Sequence, residues 1–311
     1  MNKNIKVLLL SLLIVLSAGC TNYLKEDNKN VIYETTGQTL ASNILCKPVG
    51  EDLFNFYADH QDSMNVQLDE LPDCDTFKPS DLKYQSLWES ILIKPIAWLI
   101  LKIGNFFGNY GISVMIMSLL IRILMFPLSK KSMSQTENMK KAQPELSKIE
   151  KKYKNKDDNE SMMAKSQEMM MIYKKYSINP ITGCITAFIQ LPLFFAFLEA
   201  INRVPAIFEG TLFNMNLGMT PIVGLRQGNY IYLALIAIII ISTYFSFKIS
   251  MSTQPAGEGA KQMKFMMAFM LIMISTASLS LPTAIALYWV VNNVFAIVQS
   301  IALKKASERR M

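Results

Sequence analysis

The chain has 311 residues, 51% hydrophobic and only 18% charged, with a mean hydropathy of +0.24. Ordinary soluble domains carry about 25% charged residues, and here the apolar excess is gathered into long runs, as in membrane spans. The net charge of +7 is segregated: Thr21–Lys94 holds thirteen Asp/Glu against six Lys, whereas Lys130–Lys175 holds twelve Lys. That split fits an acidic exterior face and a basic cytoplasmic face, and no basic–aromatic interleaving offers a surface for nucleic acid.

The chain opens as a targeting segment. Lys3 and Lys6 form a charged start, Val7–Leu16 an apolar stretch, and Ser17-Ala18-Gly19-Cys20 its end. Small residues before a Cys resemble the lipobox of bacterial lipoproteins. The resemblance implies a signal peptide over 1–19 and a lipid on the Cys20 sulfur, which would tether the acidic segment to the outer leaflet. Residues 20–90 form an exterior segment with no sustained period, punctuated by Pro48, Pro72 and Pro79. Cys46 and Cys74 both lie here, where oxidation is allowed, so a disulfide between them is open. His60 is the single histidine and has no Cys/His cluster around it, so neither a metal site nor a cofactor is expected.

Residues 91–110 are apolar but interrupted by Lys94, Pro95 and Lys102, with Trp98, Phe106 and Phe107 as headgroup-level aromatics. They predict an amphipathic helix lying on the outer surface. Five spans come next, at 111–128, 181–201, 230–249, 263–281 and 283–303. At 1.5 Å per residue each matches a hydrocarbon core of roughly 30 Å. The fold class expected is an all-α membrane protein of five transmembrane helices, with a cytoplasmic helical hairpin and an exterior interfacial helix. The basic segments Lys130–Lys175, Lys248–Lys264 and Lys304–Arg310 place the C-terminus, with its short tail over 306–311, inside and the N-terminus outside.

Residues 133–176 predict a soluble hairpin. Met139, Ala142, Leu146, Ile149 and Tyr153 recur at helical steps in one arm, and Met162, Met169, Tyr173 and Tyr176 in the other. Asp158 or Asn159 suits the cap of the second arm. Met162, Met163, Met169 and Met170 exceed what one seam needs. Their pliable apolar surface suits capture of hydrophobic segments or docking of a targeting factor, though coiled-coil core and headgroup contact account for them equally well.

Arg122 carries the functional argument. It lies eight residues before Lys130, about 12 Å from the inner end of its span. A charge at that depth costs roughly 2.5–3.5 kcal/mol, and a guanidinium does not shed its proton. No Asp or Glu of another span sits at that depth, so a hydrated groove is the expected setting. Ser118 lies one turn earlier on the same face. Thr182, Thr186 and Gln190 step by four along the second span, and Tyr288, Asn292 and Gln299 by four and seven along the fifth. Hydrogen bonding between helices is the competing account of these stripes.

At these residues the chain resembles the YidC insertase family with its mitochondrial and chloroplast relatives. The stretches that carry the resemblance are NYGISVMIMSLLIRILMFPLSKK, AQPELSKIEKKYK, INPITGC with AFIQLPLFFAF, and LPTAIALYWVVNNVFAIVQS, in that order over about Trp88–Lys305. The resemblance implies a hydrophilic groove open to the cytoplasm and the lipid but closed outside. Arg122 matches the family's groove arginine, and Ser118, Gln190 and Trp289 match positions linked to the groove or to substrate. It also implies an activity, insertion and folding of newly made membrane proteins, and partners: nascent hydrophobic segments, the ribosome, and further the Sec translocon and targeting factors. The motif GxxxxGK[ST] is absent, so enzyme chemistry is not expected. The alternative class is a small-anion transporter using Arg122, against which stands the lack of an internal repeat.

Overall fold

The computed structural model describes residues 21–308 apart from 155, 157, 180 and 252–257. The signal peptide and Cys20 lie outside them. The described residues divide into two compact units: those within 21–120, 191–239 and 275–292 make the first, and those within 121–190, 240–274 and 293–308 the second.

The first unit begins with a small folded head that the sequence had not foretold. β1 (Lys25–Glu26) pairs antiparallel with β2 (Lys29–Asn30). Asp27 and Asn28 between them both take positive φ, 48° and 62°, the two-residue turn that matches strand twist. β3 (Ile32–Tyr33) pairs with β4 (Gln38–Thr39), and α1 (Glu51–Asp59) comes after them. Leu24, Leu40, Ile44, Leu53, Tyr57 and Leu71 are buried together in a hydrophobic core. A disulfide joins Cys46 to Cys74, with Cα atoms 4.9 Å apart. Strands of two residues and a helix of nine are too short to show a period, which is why this segment reads as irregular in sequence.

A network of buried charges fastens the head to the apolar helices of the same unit. After a π-helical turn over Glu89–Ile93, α2 (Lys94–Phe107) buries Ile96, Ala97, Ile100 and Leu101 on one face and exposes Lys102, Asn105 and Phe106 on the other. Lys94, 2% exposed, pairs with Glu89 at 3.2 Å and donates to the carbonyls of Leu82 (3.1 Å) and Lys83 (2.9 Å). Arg203, 1% exposed, reaches Glu89 at 2.8 Å and Glu199 at 3.2 Å, while its Nε donates to the Asn43 carbonyl at 2.6 Å. The Trp88 indole N–H donates to the other oxygen of Glu199 at 3.0 Å. Two carboxylates thus face two cations, and each desolvated charge has several partners, the condition under which burial of ions is tolerated.

Gly108, at φ +65°, closes α2 in the left-handed region that costs glycine least. α3 (Tyr110–Leu124) then runs from the first unit into the second. Met125 separates it from α4 (Phe126–Lys152), with Pro127 in the first turn where its missing N–H is harmless. α5 is Asn159–Lys175 and α6 Ile181–Asn202. After α6 come α7 (Pro205–Glu209), the small hairpin β5–β6 (Thr211–Leu212 and Met215–Asn216) and α8 (Pro221–Arg226). The last three helices are α9 (Ile231–Met251), α10 (Glu258–Ser280) and α11 (Thr283–Glu308).

Helices cover the five ranges read as spans, but among the described residues only those at 230–249 and 283–303 qualify whole as membrane-crossing. By length and hydropathy, three segments among the described residues could cross a membrane: Glu89–Phe107, Ile231–Ile249 and Thr283–Leu303. The pair Tyr110–Leu124 and Phe126–Lys152 makes a fourth if it is one broken span, and Pro192–Asn202 and Met267–Ser280 are shorter apolar helices. Leu124, Leu233, Ile241, Phe265, Ile272 and Val298 are exposed, apolar surface that lipid rather than water would cover.

Replacing Arg203 by Ala leaves Glu89 and Glu199 buried without their cation and should cost about 3–5 kcal/mol. Thermal unfolding of the detergent-solubilised protein, read beside protease sensitivity of residues 21–83, measures it. A loss below about 1 kcal/mol would show that the network does not hold the head.

Candidate functional site

The hairpin of the second unit is built as its spacing requires. Ala142, Leu146 and Ile149 of α4 and Tyr153 at its C-terminal cap are buried against Ile172 of α5 and Ile178 beyond it, with Met139, Met169, Tyr173 and Tyr176 packed around them. The Asp158 carboxylate accepts from the Ser161 backbone N–H at 2.8 Å and caps α5. Two matched pairs flank the seam. Glu168 accepts from Lys152 and from the Tyr153 hydroxyl (2.9 Å), and Glu145 accepts from Lys175 (2.6 Å) and the Tyr176 hydroxyl (2.8 Å).

Met162, Met163 and Met170 are exposed, together with Met171. Met169 instead packs against the seam. Met162 thus departs from the single buried stripe that its spacing suggested. Met162, Met169 and Met170 line one open cleft of about 760 Å³ with Tyr153, Tyr173 and Ile178, and Lys154, Lys156, Lys165 and Lys174 also border it.

The polar residues of the helices fall into both units. In the first, Ser118 is buried and its hydroxyl donates to the Val114 carbonyl at 2.6 Å, a bond within its own helix. Tyr288 is buried with its ring 4.5 Å from that of Phe197, and Trp289 stacks on Phe194 with 6° between planes. The Asn292 amide donates to the Tyr288 carbonyl at 2.7 Å. In the second, Arg122 and Gln190 are half-buried, and Arg122 takes part in a polar or electrostatic interaction. The side chain of Thr186 lies outside what the structure describes.

Sequence reasoning missed two polar clusters. The Asn293 amide donates to the Thr243 hydroxyl at 2.8 Å and to that of Ser242 at 3.3 Å, tying α11 to α9 within the second unit. The signal was present: Ser242-Thr243 interrupts an otherwise apolar run, and polar pairs join helices in lipid. The buried charges of Glu89, Lys94, Glu199 and Arg203 were also missed as a set. The four-residue step from Glu199 to Arg203 was their one local trace.

Residues 102–310 match the family described as 60Kd inner membrane protein. The membrane protein insertase YidC 2 of Bacillus anthracis is 35% identical over 228 residues, 73% of this chain and 85% of that protein. The chain belongs to the YidC insertase family. The YidC of Oceanobacillus iheyensis is 33% identical over 224 residues (70% of this chain, 84% of that protein), and the insertase MisCA of Bacillus subtilis 32% over 218 (70% and 79%). A crystal structure of an active YidC insertase with its first transmembrane domain resolved shares the fold with a TM-score of 0.51 at 20% identity. That likeness covers 69% of this chain and 46% of the other. Most of the head precedes the residues that the YidC family match covers, and the hairpin, the Arg122 span and the Tyr288–Asn292 stretch lie inside them.

Hydrogen bonds from Lys175 and Tyr176 hold the Glu145 carboxyl below its ordinary value, and bonds from Lys152 and Tyr153 do the same for Glu168. A carboxylate whose folded pKa is depressed contributes stability above its unfolded pKa and loses it as pH falls through the folded one. Amide hydrogen exchange in α4 and α5 of the wild type should therefore accelerate, relative to intrinsic rates, below the ordinary carboxylate pKa. The Glu145→Gln/Glu168→Gln double variant should exchange faster at neutral pH and change little on acidification. Identical profiles for the two proteins would remove these pairs from the hairpin's stability.

Proposed function

We propose that this chain inserts and helps fold newly made proteins in the bacterial cytoplasmic membrane, with Arg122 as the charge that receives their polar flanks. The observation that carries the reading is the family match across the apolar helices, joined to a permanent cation within the first of them. Under this reading the acidic head stands outside, anchored through a lipid on Cys20, and α2 lies along the outer surface. The basic hairpin stands in the cytoplasm, where Lys-rich segments collect.

A nascent hydrophobic segment leaving the ribosome meets the Met-lined cleft of the hairpin. Methionine side chains adapt to varied apolar partners. The polar flank then enters a hydrated groove at Arg122, with Gln190 and Thr186 of the same unit as further polar contacts; Ser118, Tyr288, Trp289 and Asn292 of the first unit are the candidates for contact with the passing chain there. The guanidinium has five N–H donors, so it can keep contacts of its own and still attract an acidic flank. Water in the groove shortens the apolar barrier that this flank crosses. The hydrophobic segment moves sideways into lipid, driven by about 25 cal/mol for each Å² of apolar surface withdrawn from water. The step needs no bond chemistry. The Sec translocon and targeting factors are further partners within this scheme.

Arg122→Ala should lower insertion of substrates with acidic translocated tails by about tenfold, the scale of about 1.4 kcal/mol in a charge-assisted contact. Arg122→Lys should retain most of it. Reconstituted vesicles at matched protein levels, scored by protease protection of the tail, provide the readout. Equal insertion by wild type and Arg122→Ala would eliminate the electrostatic step.

A further inference from the structure

The head carries a cavity of its own. It has a volume of about 450 Å³ and lies where β3, β4 and the start of α1 meet α7 and β6, all within the first unit. Small-ligand sites are commonly of this size. Buried Gln38, Leu40, Leu53 and Phe208 line its interior, and Glu51 and Asp52 stand exposed at its edge.

Three features define what would fit. The first is charge: Glu51, Asp52 and Glu209 all line the cavity, and no Lys, Arg or His does. Glu209 is half-buried and accepts from the backbone N–H groups of Val49 (2.9 Å) and Gly50 (2.6 Å). Burial raises its pKa, against the opposing pull of those two bonds, so a neighbouring cation would relieve a desolvated carboxylate. The second is a spare donor. Gln38 is 2% exposed, and its Nε2 has no hydrogen-bond partner among the described residues. A buried amide N–H without an acceptor carries a desolvation cost that a ligand oxygen would remove. The third is the spread of the acids. No group of three His, Cys, Asp or Glu among the described residues could hold a metal ion. The charges border the cavity rather than converge on one point, which suits an organic cation. Tyr33, also in the wall and set edge-to-face against Phe56 at 5.1 Å, adds an aromatic ring of the kind that attracts ammonium groups.

We propose that this pocket binds the free amino terminus of a polypeptide on the head's side of the membrane. The α-ammonium is held by Glu209 and the edge carboxylates, and the first carbonyl oxygen accepts from Gln38. A free amino acid carries the same two groups, but its own carboxylate would meet three others. A peptide avoids that repulsion. The site shares no residue with the polar set of the spans, so the insertase reading stands or falls independently of it.

The test uses the full chain in lipid nanodiscs and calorimetric titration with the tripeptide amide Ala-Gly-Ala-NH2, its N-acetylated form, free alanine and calcium. The free-amine peptide should bind about tenfold more tightly than the acetylated one, with affinity falling as salt rises. Glu209→Gln and Gln38→Leu should each weaken it several-fold while insertion of a model substrate is unchanged. If Glu209→Gln lowers the thermal midpoint, the Glu51→Gln/Asp52→Asn pair at the exposed edge takes its place, with the same loss expected. Equal affinity for the free and acetylated peptides, no binding of either, or tighter binding of alanine or calcium than of the peptide would each overturn the assignment.

Discussion

Arg203 is the residue on which the first unit turns. It holds Glu89 from the turn before α2, Glu199 from the last turn of α6, which it directly follows, and the Asn43 carbonyl from the head. Lys94 completes the set by binding Glu89 and two carbonyls of the chain leading into α2. Such a group is costly to bury and more costly to leave incomplete. It therefore acts as a test of assembly, because any arrangement that omits one member strands a charge without water. Apolar packing alone would not discriminate so sharply, since lipid tails are as apolar as leucine and do little to favour one helix contact over another.

The head and the apolar helices solve opposite solvation problems. The head is a small core of short elements, closed by the Cys46–Cys74 bond, in the manner of small exterior domains that bury too little surface for hydrophobic burial to suffice. The helices show large apolar side chains on their outer surfaces, a liability in water and a requirement in lipid. The hairpin lies between these extremes. Its seam is apolar, its flanks are paired Lys and Glu, and Met162, Met163, Met170 and Met171 remain at the surface. One chain thus carries three surfaces, each suited to a different surrounding.

Much of this was legible in the sequence where a period was long enough to read. Apolar runs of about twenty residues located the helices, and the stripe from Met139 to Tyr153 located the hairpin seam. Legibility failed where structure depends on contacts distant in the chain. Two-residue strands leave no pattern, so the head could not be read. Glu89 and Arg203 are separated by more than a hundred residues, and nothing local in Lys94 shows that it is buried rather than at a headgroup. Ser118 could be placed on a helix face from its spacing, but its hydroxyl's bond to Val114 depends on a rotamer that sequence does not display. Asp158 was legible as a cap because that interaction is confined to three residues.

The charge network also has a temporal meaning. A chain is made from its N-terminus at roughly 5–20 residues per second, so Glu89 and Lys94 exist for on the order of ten seconds before Arg203 is polymerised. During that interval the half-built head has a carboxylate and an ammonium but not the guanidinium that links them to the Asn43 carbonyl and to the Trp88–Glu199 contact. Maturation of the head must therefore lag behind synthesis of the hairpin and of the second apolar segment, and a ribosome stalled between residues 94 and 203 would hold an immature head.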